Sequence, residues 1–465
     1  MSELSFLTVS ELSRAFDTKT LSPVEVLDDV LRRLDILEPR LNMFAALDVE
    51  GARACARESE ERQMRGERRS LLDGIPTSIK DLIAQKGLPL RFGSRSTSDV
   101  PATIDAPAVE RLRAAGAVLL GKSTTSEFGC KAVGDCPLTG ITRNPWNIEM
   151  TPGGSSCGAA AMVSAGVVPF AIGTDGGGSV RIPASLTGLF GVKAQFGRVP
   201  IHPVSATPTL AHVGPLARTV EDAAIVLSHI SGHDRRDPYS VAGPVPNYLT
   251  ASRSKRRLKI AWSTTLGFAK PEPEVVALTT AAVKRFEELG HEVQEFDHVM
   301  DDPEAMWNAE FYAGVGTRLK SVVVNSPDLV DPAVLEVLRV AIAQDMHSYY
   351  SRVFDRYAFR NAVREFFEHF DLLATPTLPV PAFAAGIDFP PSQPNRSIVS
   401  WVYYTYPFNL TGQPAASINA GFTGDGLPVG LQLVAGINDE ETIFTACGAY
   451  ERAFGDTDRR PPLIV

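Results

Sequence analysis

Apolar residues near the N-terminus recur at the spacing of amphipathic helices. Thr8 with Glu11, and Ser22 with Glu25, each match the capping box that starts a helix. A proline follows Ser22 at the first helical position, where a backbone N–H is not needed, and leucines and valines then fall on one face. We therefore predict a helical layer over residues 1–70 that packs on the main domain.

From about residue 105 onward, helical and strand-like patterns alternate. A helix with one apolar face ends at Gly116 and the apolar run AVLL follows it; the same order recurs where Gly290 precedes HEVQEF. Strands that alternate with helices build a sheet covered by those helices. We therefore predict an α/β fold with a single large domain over residues 71–465, whose mixed, mostly parallel central sheet is flanked by helices on both faces.

The composition is that of an ordinary globular protein and indicates neither a nucleic-acid partner nor a membrane. Forty-five Lys and Arg residues against 54 Asp and Glu give a net charge of -9, and we interpret the short basic run at 253–257 as a solvated loop. No apolar run reaches the ~18 residues that cross a bilayer, and the N-terminus lacks the pattern of a signal peptide. We expect a cytoplasmic protein.

The five cysteines are scattered and form no C-x-x-C pair. Such spacing predicts neither a disulfide framework nor a zinc site. We therefore expect a reducing compartment, no metal and no other cofactor.

The phrase GAVLLGKS at 116–123 satisfies the phosphate-loop pattern of nucleotide-binding proteins. A phosphate cradle needs a flexible loop between its glycines, whereas Ala, Val, Leu and Leu form a strand of their own. We favour the strand and keep nucleotide binding as a remote alternative.

The phrase GSSCG at 154–158 satisfies the nucleophile-elbow pattern around Ser156. That motif follows a strand and needs an acid and a histidine later in the chain. The preceding segment, NPWNIEMTPG, is too broken by proline and glycine for a central strand. This weakens the elbow, although His202 or a later histidine leaves it open.

A third group of residues is more specific: Lys80 in GIPTSIKD, Ser155 in TPGGSSCG and Ser179 in GTDGGGSVRIPASLTG. A serine nucleophile needs a base, and no histidine precedes residue 202. Lysine can be that base if burial lowers its pKa, and the apolar neighbours of Lys80 favour burial. Asp81 would oppose this shift if it faced inward.

Three glycines, Gly176, Gly177 and Gly178, directly precede Ser179. Successive glycines allow backbone conformations closed to other residues and bring N–H groups close to a ligand, as an oxyanion hole requires. A flexible turn would explain the glycines alone, but not the ordered phrase around them.

Together these phrases resemble the amidase signature family, whose pattern joins a glycine-serine-serine phrase to a G-T-D-x-G-G-S-x-R-x-P-A phrase. The resemblance runs from about residue 74 to the C-terminal helix, with its core motif region at 74–220. It implies the amidase signature fold and hydrolysis of a small-molecule carboxylic amide. The chain departs from the family pattern at Cys157 and in KAQFGRVP at 193–200, and neither departure replaces an implied catalytic residue.

The resemblance implies an acyl-enzyme mechanism in which Ser179 is the nucleophile, Ser155 the bridging residue after a cis peptide bond, and Lys80 the base. The oxyanion would be held by the N–H groups of Gly176 to Ser179. Further residues would support the triad and its loop by hydrogen bonds and an ion pair: Ser156, Asp175 and Arg181.

The family also contains the glutaminase subunit of the tRNA-dependent amidotransferase. That subunit typically carries Gln three residues after the nucleophile, where this chain has Ile182. We therefore favour a stand-alone amidase, and the alternative that we keep is the glutaminase subunit. The helical first 70 residues and family habit favour a homodimer.

The substrate is less well indicated, and we predict a small or aryl amide. Cys130 lies where the resemblance places the start of the substrate pocket, and Ile182 suits an apolar acyl group. The proline-rich stretch at 379–396 is either a loop at the rim of the site or a surface connector. Two aromatic groups either line an access channel or belong to the core: Trp307, Phe311 and Tyr312, and Trp401, Tyr403, Tyr404, Tyr406 and Phe408.

Overall fold

The strands form one large sheet and one short hairpin in this computed structural model, which describes residues 3–456 and 459–464. In chain order they are β1 Phe44–Leu47, β2 Pro76–Lys80, β3 Val118–Ser123, β4 Asp135–Cys136, β5 Gly140–Ile141, β6 Phe170–Asp175, β7 Phe190–Lys193, β8 His212–Ala217, β9 Lys259–Trp262, β10 Glu292–Glu295, β11 Leu372–Pro376, β12 Ala415–Phe422 and β13 Pro428–Ala435.

Within the described residues the large sheet has eleven strands in the order β1-β3-β2-β6-β8-β7-β12-β13-β11-β9-β10, and β4 pairs with β5. Parallel pairs lie on the two flanks, where β2 pairs with β3 and β6, and β9 with β10 and β11. Antiparallel pairs join these flanks through β8, β7, β12 and β13. The prediction of one large α/β domain with a mixed central sheet is confirmed.

Helices flank the sheet. They are α1 Val9–Asp17, α2 Pro23–Leu41, α3 Val49–Arg65, α4 Pro107–Ala115, α5 Cys157–Ser164, α6 Arg181–Thr187, α7 Val220–Ile230, α8 Tyr248–Ser252, α9 Pro273–Glu288, α10 Glu304–Asn325, α11 Pro332–Ala343, α12 Met346–Phe366, α13 Pro407–Thr411 and α14 Glu440–Phe454. Short 3-10 helices lie at Glu3–Phe6, Glu127–Gly129, Pro327–Leu329 and Pro462–Ile464. Among the helices described, none is long and apolar enough to cross a membrane.

Local sequence signals explain where the first helices begin. Thr8 and Ser22 accept hydrogen bonds from the backbone N–H of Glu11 and Glu25, whose side chains bond back to the capping residues. Both predicted capping boxes are therefore confirmed. The N-terminal region also contains β1, which the helical pattern did not predict and which pairs antiparallel with β3.

The long helix α10 packs against α11 and α12, and its Trp307 donates a hydrogen bond to the carbonyl of Gly176. Trp307 and Phe311 of α10 are buried and stack on each other, with ring centroids 4.4 Å apart. Helix α10 thereby forms one wall of the candidate site described next.

Candidate active site

Lys80 is the last residue of β2 and is completely buried. Its Nζ lies 2.7 Å from Ser155 Oγ and 2.9 Å from Ser156 Oγ. Burial lowers the pKa of Lys80 to about 7, while Cys157 and Asp175 oppose the shift. A substantial fraction of Lys80 is therefore neutral, and able to accept a proton, at neutral pH.

Asp81, the next residue, does not face Lys80. Its Oδ1 lies 3.2 Å from Nζ of Lys122, and both side chains are buried. Lys122 also donates to the carbonyl of Ile83 at 2.7 Å. The Asp81 carboxylate is thus occupied by a second lysine, which leaves the pKa of Lys80 under the control of burial.

Lys122 belongs to the phrase that matched the phosphate-loop pattern. Residues 118–123 form the buried strand β3, as predicted. Gly121 is needed there because a Cβ at this position would lie 2.2 Å from the carbonyl oxygen of Ala46 in β1. The segment that matched the phosphate-loop pattern is therefore a strand, and its glycine allows close packing against β1.

Two neighbouring serines hold the Lys80 amine from the start of α5. The Gly154–Ser155 peptide bond is cis, as the resemblance implied. Ser156 precedes α5, and its Oγ also lies 3.2 Å from the carbonyl oxygen of Thr174 and 3.3 Å from the Thr174 nitrogen. Ser156 therefore bridges Lys80 to β6, whereas Ser155 lines a cavity that it shares with Ser179.

The loop of residues 176–179 connects β6 to α6 and fits closely against three side chains. A Cβ would lie 2.8 Å from Phe311 at Gly176, 2.6 Å from Trp307 at Gly177 and 2.3 Å from Thr405 at Gly178. Only glycine lets the backbone approach these side chains. Trp307 Nε1 donates to the carbonyl of Gly176 at 2.9 Å, and Thr405 Oγ1 to that of Gly177 at 2.6 Å.

A buried ion pair between Asp175 and Arg181 also holds the loop of residues 176–179 in place. The Arg181 guanidinium contacts both Asp175 carboxylate oxygens, at 2.9 and 3.0 Å. Burial opposes ionisation of Asp175, but the charge and hydrogen bonds of Arg181 outweigh it and hold the pKa of this carboxyl well below its usual range. Asp175 also accepts hydrogen bonds from the backbone N–H of Gly178 at 2.8 Å and of Val180 at 3.2 Å.

These bonds bear on the predicted oxyanion hole. The N–H of Gly178 already donates to Asp175, so it points into the protein. Of the four predicted donors, those of Gly176, Gly177 and Ser179 remain for an oxyanion.

Two cavities meet at Ser179. The larger, of about 380 Å³, is lined by Ser155, Gly176 and Ser179 and otherwise mostly by apolar side chains. The smaller, of about 10 Å³, is lined by Ser179, Gly177, Ile182, Trp307 and the charged Lys131. Cavity walls of this kind, largely apolar with a few polar groups together at one point, are typical of small-molecule sites.

Of the two residues predicted to bind substrate, Ile182 lines the smaller cavity. Cys130 lines neither cavity: it is fully buried and its carbonyl accepts a hydrogen bond from Tyr312 at 3.1 Å. Its neighbour Gly129 lines both cavities. The pocket wall is therefore displaced by one residue from the position expected at Cys130.

The aromatic groups divide between site and core. Trp307 and Phe311 line the cavities, whereas the second group is fully buried around α13: Trp401, Tyr403, Tyr404, Tyr406 and Phe408. The proline-rich stretch lies beside the site, where Asp388 pairs with Lys131 of the smaller cavity at 2.8 Å.

Some residues of the site carry no signal in the sequence. Asn409 donates to Asp175 Oδ1 at 2.9 Å and accepts from Arg181 at 2.7 Å. His212, on the wall of the larger cavity, lies 3.4 Å from the buried Lys193, and burial lowers the pKa of both groups well below their ordinary values. Lone polar residues in apolar surroundings, far apart in the chain, show no pattern that would have identified them.

A family model and several known proteins match this chain. The family model described as Amidase matches residues 25–444. The chain belongs to the amidase family. This amidase is 34% identical to an acylamidase of Rhodococcus erythropolis, with 98% of each chain covered. It is 36% identical to a glutamyl-tRNA(Gln) amidotransferase subunit of Chloroflexus aggregans, over 100% of this chain and 99% of that one.

A solved structure shares the fold over almost its full length. It is a bacterial aryl acylamidase of the amidase signature family, with a TM-score of 0.92, 28% identity and 98% of each chain covered. The family and fold implied by the sequence motifs are therefore confirmed, and with them amide hydrolysis as the general activity.

Proposed function

We propose that this amidase hydrolyses a small or aryl carboxylic amide, as a stand-alone enzyme, through an acyl-enzyme on Ser179. The observation that carries the proposal is the contact of the buried Lys80 Nζ with Ser155 Oγ, at 2.7 Å, while Ser155 and Ser179 line the same cavity. These contacts support a mechanism in which a lysine base acts through a serine hydroxyl on a serine nucleophile.

In the proposed reaction neutral Lys80 takes the proton of Ser155, and Ser155 takes that of Ser179. The Ser179 oxygen forms a bond to the amide carbon, and the carbonyl electrons move onto oxygen. When the carbon–nitrogen bond breaks, the proton returns through Ser155 to the leaving nitrogen. Water then attacks the acyl-enzyme with the same relay as base, and releases the acid.

The oxyanion of this reaction would be bound by the backbone N–H groups of Gly176, Gly177 and Ser179. A single donor of this kind contributes ~3 to 4 kcal/mol to transition-state stabilisation. Asp175 and Arg181 would keep the loop in place, and Ser156 would keep Lys80 in place, without touching the substrate.

Ammonia or amine release from a panel of amides tests the proposal: benzamide, acetanilide, indole-3-acetamide, malonamate and glutamine. Ser179→Ala and Lys80→Met should each lower kcat by ~10⁴-fold or more, since members of such a triad act as a unit. Ser164→Ala, a buried serine on α5 whose hydroxyl donates to the carbonyl of Thr187, is the matched control and should keep full activity. Turnover that survives Ser179→Ala would mean that another nucleophile operates.

The glutaminase subunit of an amidotransferase is a second candidate, favoured by the 36% identity to the Chloroflexus aggregans protein. The apolar Ile182 beside Ser179 speaks against a glutamine side chain, whose amide would find no polar partner on Ile182. Turnover of glutamine alone in the panel would favour this second candidate.

We also propose a cytoplasmic homodimer. All five cysteines are free thiols, which suits a reducing compartment. A row of exposed apolar side chains on α12 would form the dimer contact: Met346, Tyr350, Phe354 and Tyr357, exposed by 77, 51, 68 and 62%. Their spacing places them on one helix face. The three rings alone contribute roughly 350 Å² of exposed apolar surface. Each partner of a stable complex buries about 800 Å², so residues around the rings would supply the rest of the contact.

A further inference from the structure

Lys131 lies on the wall of the smaller cavity at Ser179, and its ammonium group meets three carboxylates. Its Nζ lies 2.5 Å from Asp135, 2.8 Å from Asp331 and 2.8 Å from Asp388. A lysine ammonium has three N–H donors, so these partners occupy all of them. Burial opposes the charged form, but the three carboxylates outweigh it and raise the pKa of Lys131 above its ordinary value.

The three carboxylates come from different parts of the chain. Asp135 follows Lys131 in the same segment and begins β4. Asp331 caps α11, where its side chain accepts hydrogen bonds from the N–H groups of residues 333 and 334 at 3.0 and 3.3 Å. Asp388 belongs to the proline-rich stretch. Lys131 therefore joins its own segment, a helix and the proline-rich stretch at one point.

Two further hydrogen bonds hold the segment before Lys131 against the helices. The Glu127 carboxylate accepts from the backbone N–H of Asp331 at 2.7 Å. The Tyr312 hydroxyl of α10 donates to the carbonyl of Cys130 at 3.1 Å. Gly129, between these two contacts, lines both cavities at Ser179. The position of this part of the cavity wall thus depends on how the segment docks on α10 and α11.

The proline-rich stretch is also anchored on either side of Asp388. Backbone hydrogen bonds join residues 383–385 to residues 149–151, at 2.8 and 2.9 Å. Further along, Arg396 pairs with two carboxylates at the start of α10, at 2.9 and 3.1 Å. Val399, just beyond Arg396, lines the smaller cavity. The contact with Lys131 lies between these two anchors, so it holds the stretch that leads to this wall.

These contacts are separate from those that hold the proposed triad. Lys80 is held by Ser155 and Ser156, and the loop before Ser179 is held by a buried ion pair of its own. Loss of the Lys131 charge should therefore leave the reacting groups in place and loosen the wall beside them.

We propose that Lys131 is a positioning residue for substrate binding, which joins its own segment, α11 and the proline-rich stretch into one wall beside Ser179. The substrate packs against this wall in the ground state and in the transition state alike. Lys131 makes no bond to the substrate, because its donors are occupied by the carboxylates. The inference rests on the proposed function, since it takes Ser179 as the reacting residue.

Steady-state kinetics test the proposal, with the amide of the panel that the wild type turns over fastest. Lys131→Met should raise KM by ~10-fold or more while kcat stays within ~3-fold, the pattern expected when uniform binding is lost. Asp388→Asn should raise KM by ~2- to 5-fold, as for the loss of one partly exposed ion pair. The Asp388 side chain is 38% exposed, so this variant keeps the test available if Lys131→Met fails to fold.

Two control variants separate this effect from a general loss of stability. Arg62→Met breaks a buried ion pair with Asp73 in the N-terminal layer, so it should lower stability without changing KM. Asp425→Asn replaces an exposed carboxylate in the turn between β12 and β13 and should change neither quantity.

Trypsin reports on the wall directly, because it can cut the proline-rich stretch after Arg396. Cleavage there should be faster by ~3-fold or more in Lys131→Met and in Asp388→Asn than in the wild type, since the stretch opens more often. Cleavage in the exposed basic run at 253–257 is the internal control and should not change.

An unchanged KM in both Lys131→Met and Asp388→Asn would overturn the inference. So would a kcat of Lys131→Met that falls by ~100-fold at unchanged KM, because Lys131 would then act in the chemical step. Turnover that survives Ser179→Ala would contradict the proposed function instead. Loss of turnover in Ser179→Ala, together with an unchanged KM in the other two variants, would reject this inference alone.

Discussion

Asp81 and Lys122 form a buried ion pair, 3.2 Å from Oδ1 to Nζ, immediately beside Lys80. The two lysines lie on neighbouring strands, and only Lys122 has this carboxylate as its partner. If Asp81 faced Lys80 instead, its negative charge would raise the pKa of the proposed base and keep it protonated at neutral pH. The ion pair therefore bears directly on whether Lys80 can act as a base.

The activity should depend on pH through Lys80. With a pKa of about 7 in the folded protein, Lys80 gains its neutral form as the pH rises through 7. We expect kcat/KM to rise through this range and to level off above it, because the neutral amine is the active form. A profile measured from pH 5.5 to 9 with a neutral anilide gives the answer. A flat profile, or one that falls over this range, would exclude Lys80 as the base.

The free energy of unfolding should also depend on pH through Lys80. Above pH 7 the folded protein holds Lys80 neutral, whereas in the unfolded chain it stays protonated up to its ordinary value of 10.5. Unfolding then takes up a proton, so raising the pH stabilises the folded state. Relative to Lys80→Met, the free energy of unfolding should increase by about 1.4 kcal/mol per pH unit above 7, and stay level below it. Urea unfolding at pH 6, 7, 8 and 9 measures this; a constant difference would contradict it.

The Asp81–Lys122 pair can be tested by double substitution. Asp81→Asn leaves the Lys122 charge buried without its partner and should lower the free energy of unfolding by about 3 to 5 kcal/mol. Lys122→Met alone should do the same by leaving the Asp81 carboxylate without its partner. The double variant removes both charges, so we expect it to recover most of that loss in urea unfolding. Additive losses would mean that the two side chains act independently.

Features fixed by nearby residues were predictable from the sequence. The capping boxes at Thr8 and Ser22 depend on residues three positions away, and both were confirmed. The strand interpretation of GAVLLGKS succeeded for the same reason, since four consecutive apolar residues are incompatible with a phosphate loop. Strand β1 was missed because four residues between two helices show too little alternation to be distinguished from a loop.

Features that depend on distant residues were not predictable. The orientation of Asp81 depends on Lys122 in another strand, and the rigidity of the Asp175 loop depends on Asn409, 234 positions away. The triple glycine indicated a close approach, but not that Trp307, Phe311 and Thr405 would supply the opposing surface. Contacts between residues so far apart in the chain can be identified only when the order of strands in the sheet is known.

The tight fit of the glycine loop gives a further prediction. Gly177→Ala would place a methyl group 2.6 Å from the Trp307 ring, so the loop must shift and its N–H groups with it. We expect kcat to fall by ~10²-fold or more, as when an oxyanion donor is lost. Gly436→Ala is the control, since the nearest atom to its new methyl group would be 3.8 Å away, and it should keep full activity. Equal activity of both variants would exclude a role for the Gly177 position.

The apolar row on α12 predicts how the quaternary structure responds to a charge. Phe354→Glu places a carboxylate at a side chain that is 68% exposed in the single chain, so it should not disturb folding. If the row is the dimer contact, burying that charge without a partner opposes association, and the variant should sediment as a monomer where the wild type sediments as a dimer. Val100→Glu, with Val100 72% exposed in the loop before α4, is the matched control and should remain dimeric. A wild-type protein that sediments as a monomer at micromolar concentration, or a Phe354→Glu variant that stays dimeric, would contradict the assignment. In both variants the far-ultraviolet circular dichroism should match the wild type, since neither substituted side chain is part of the core.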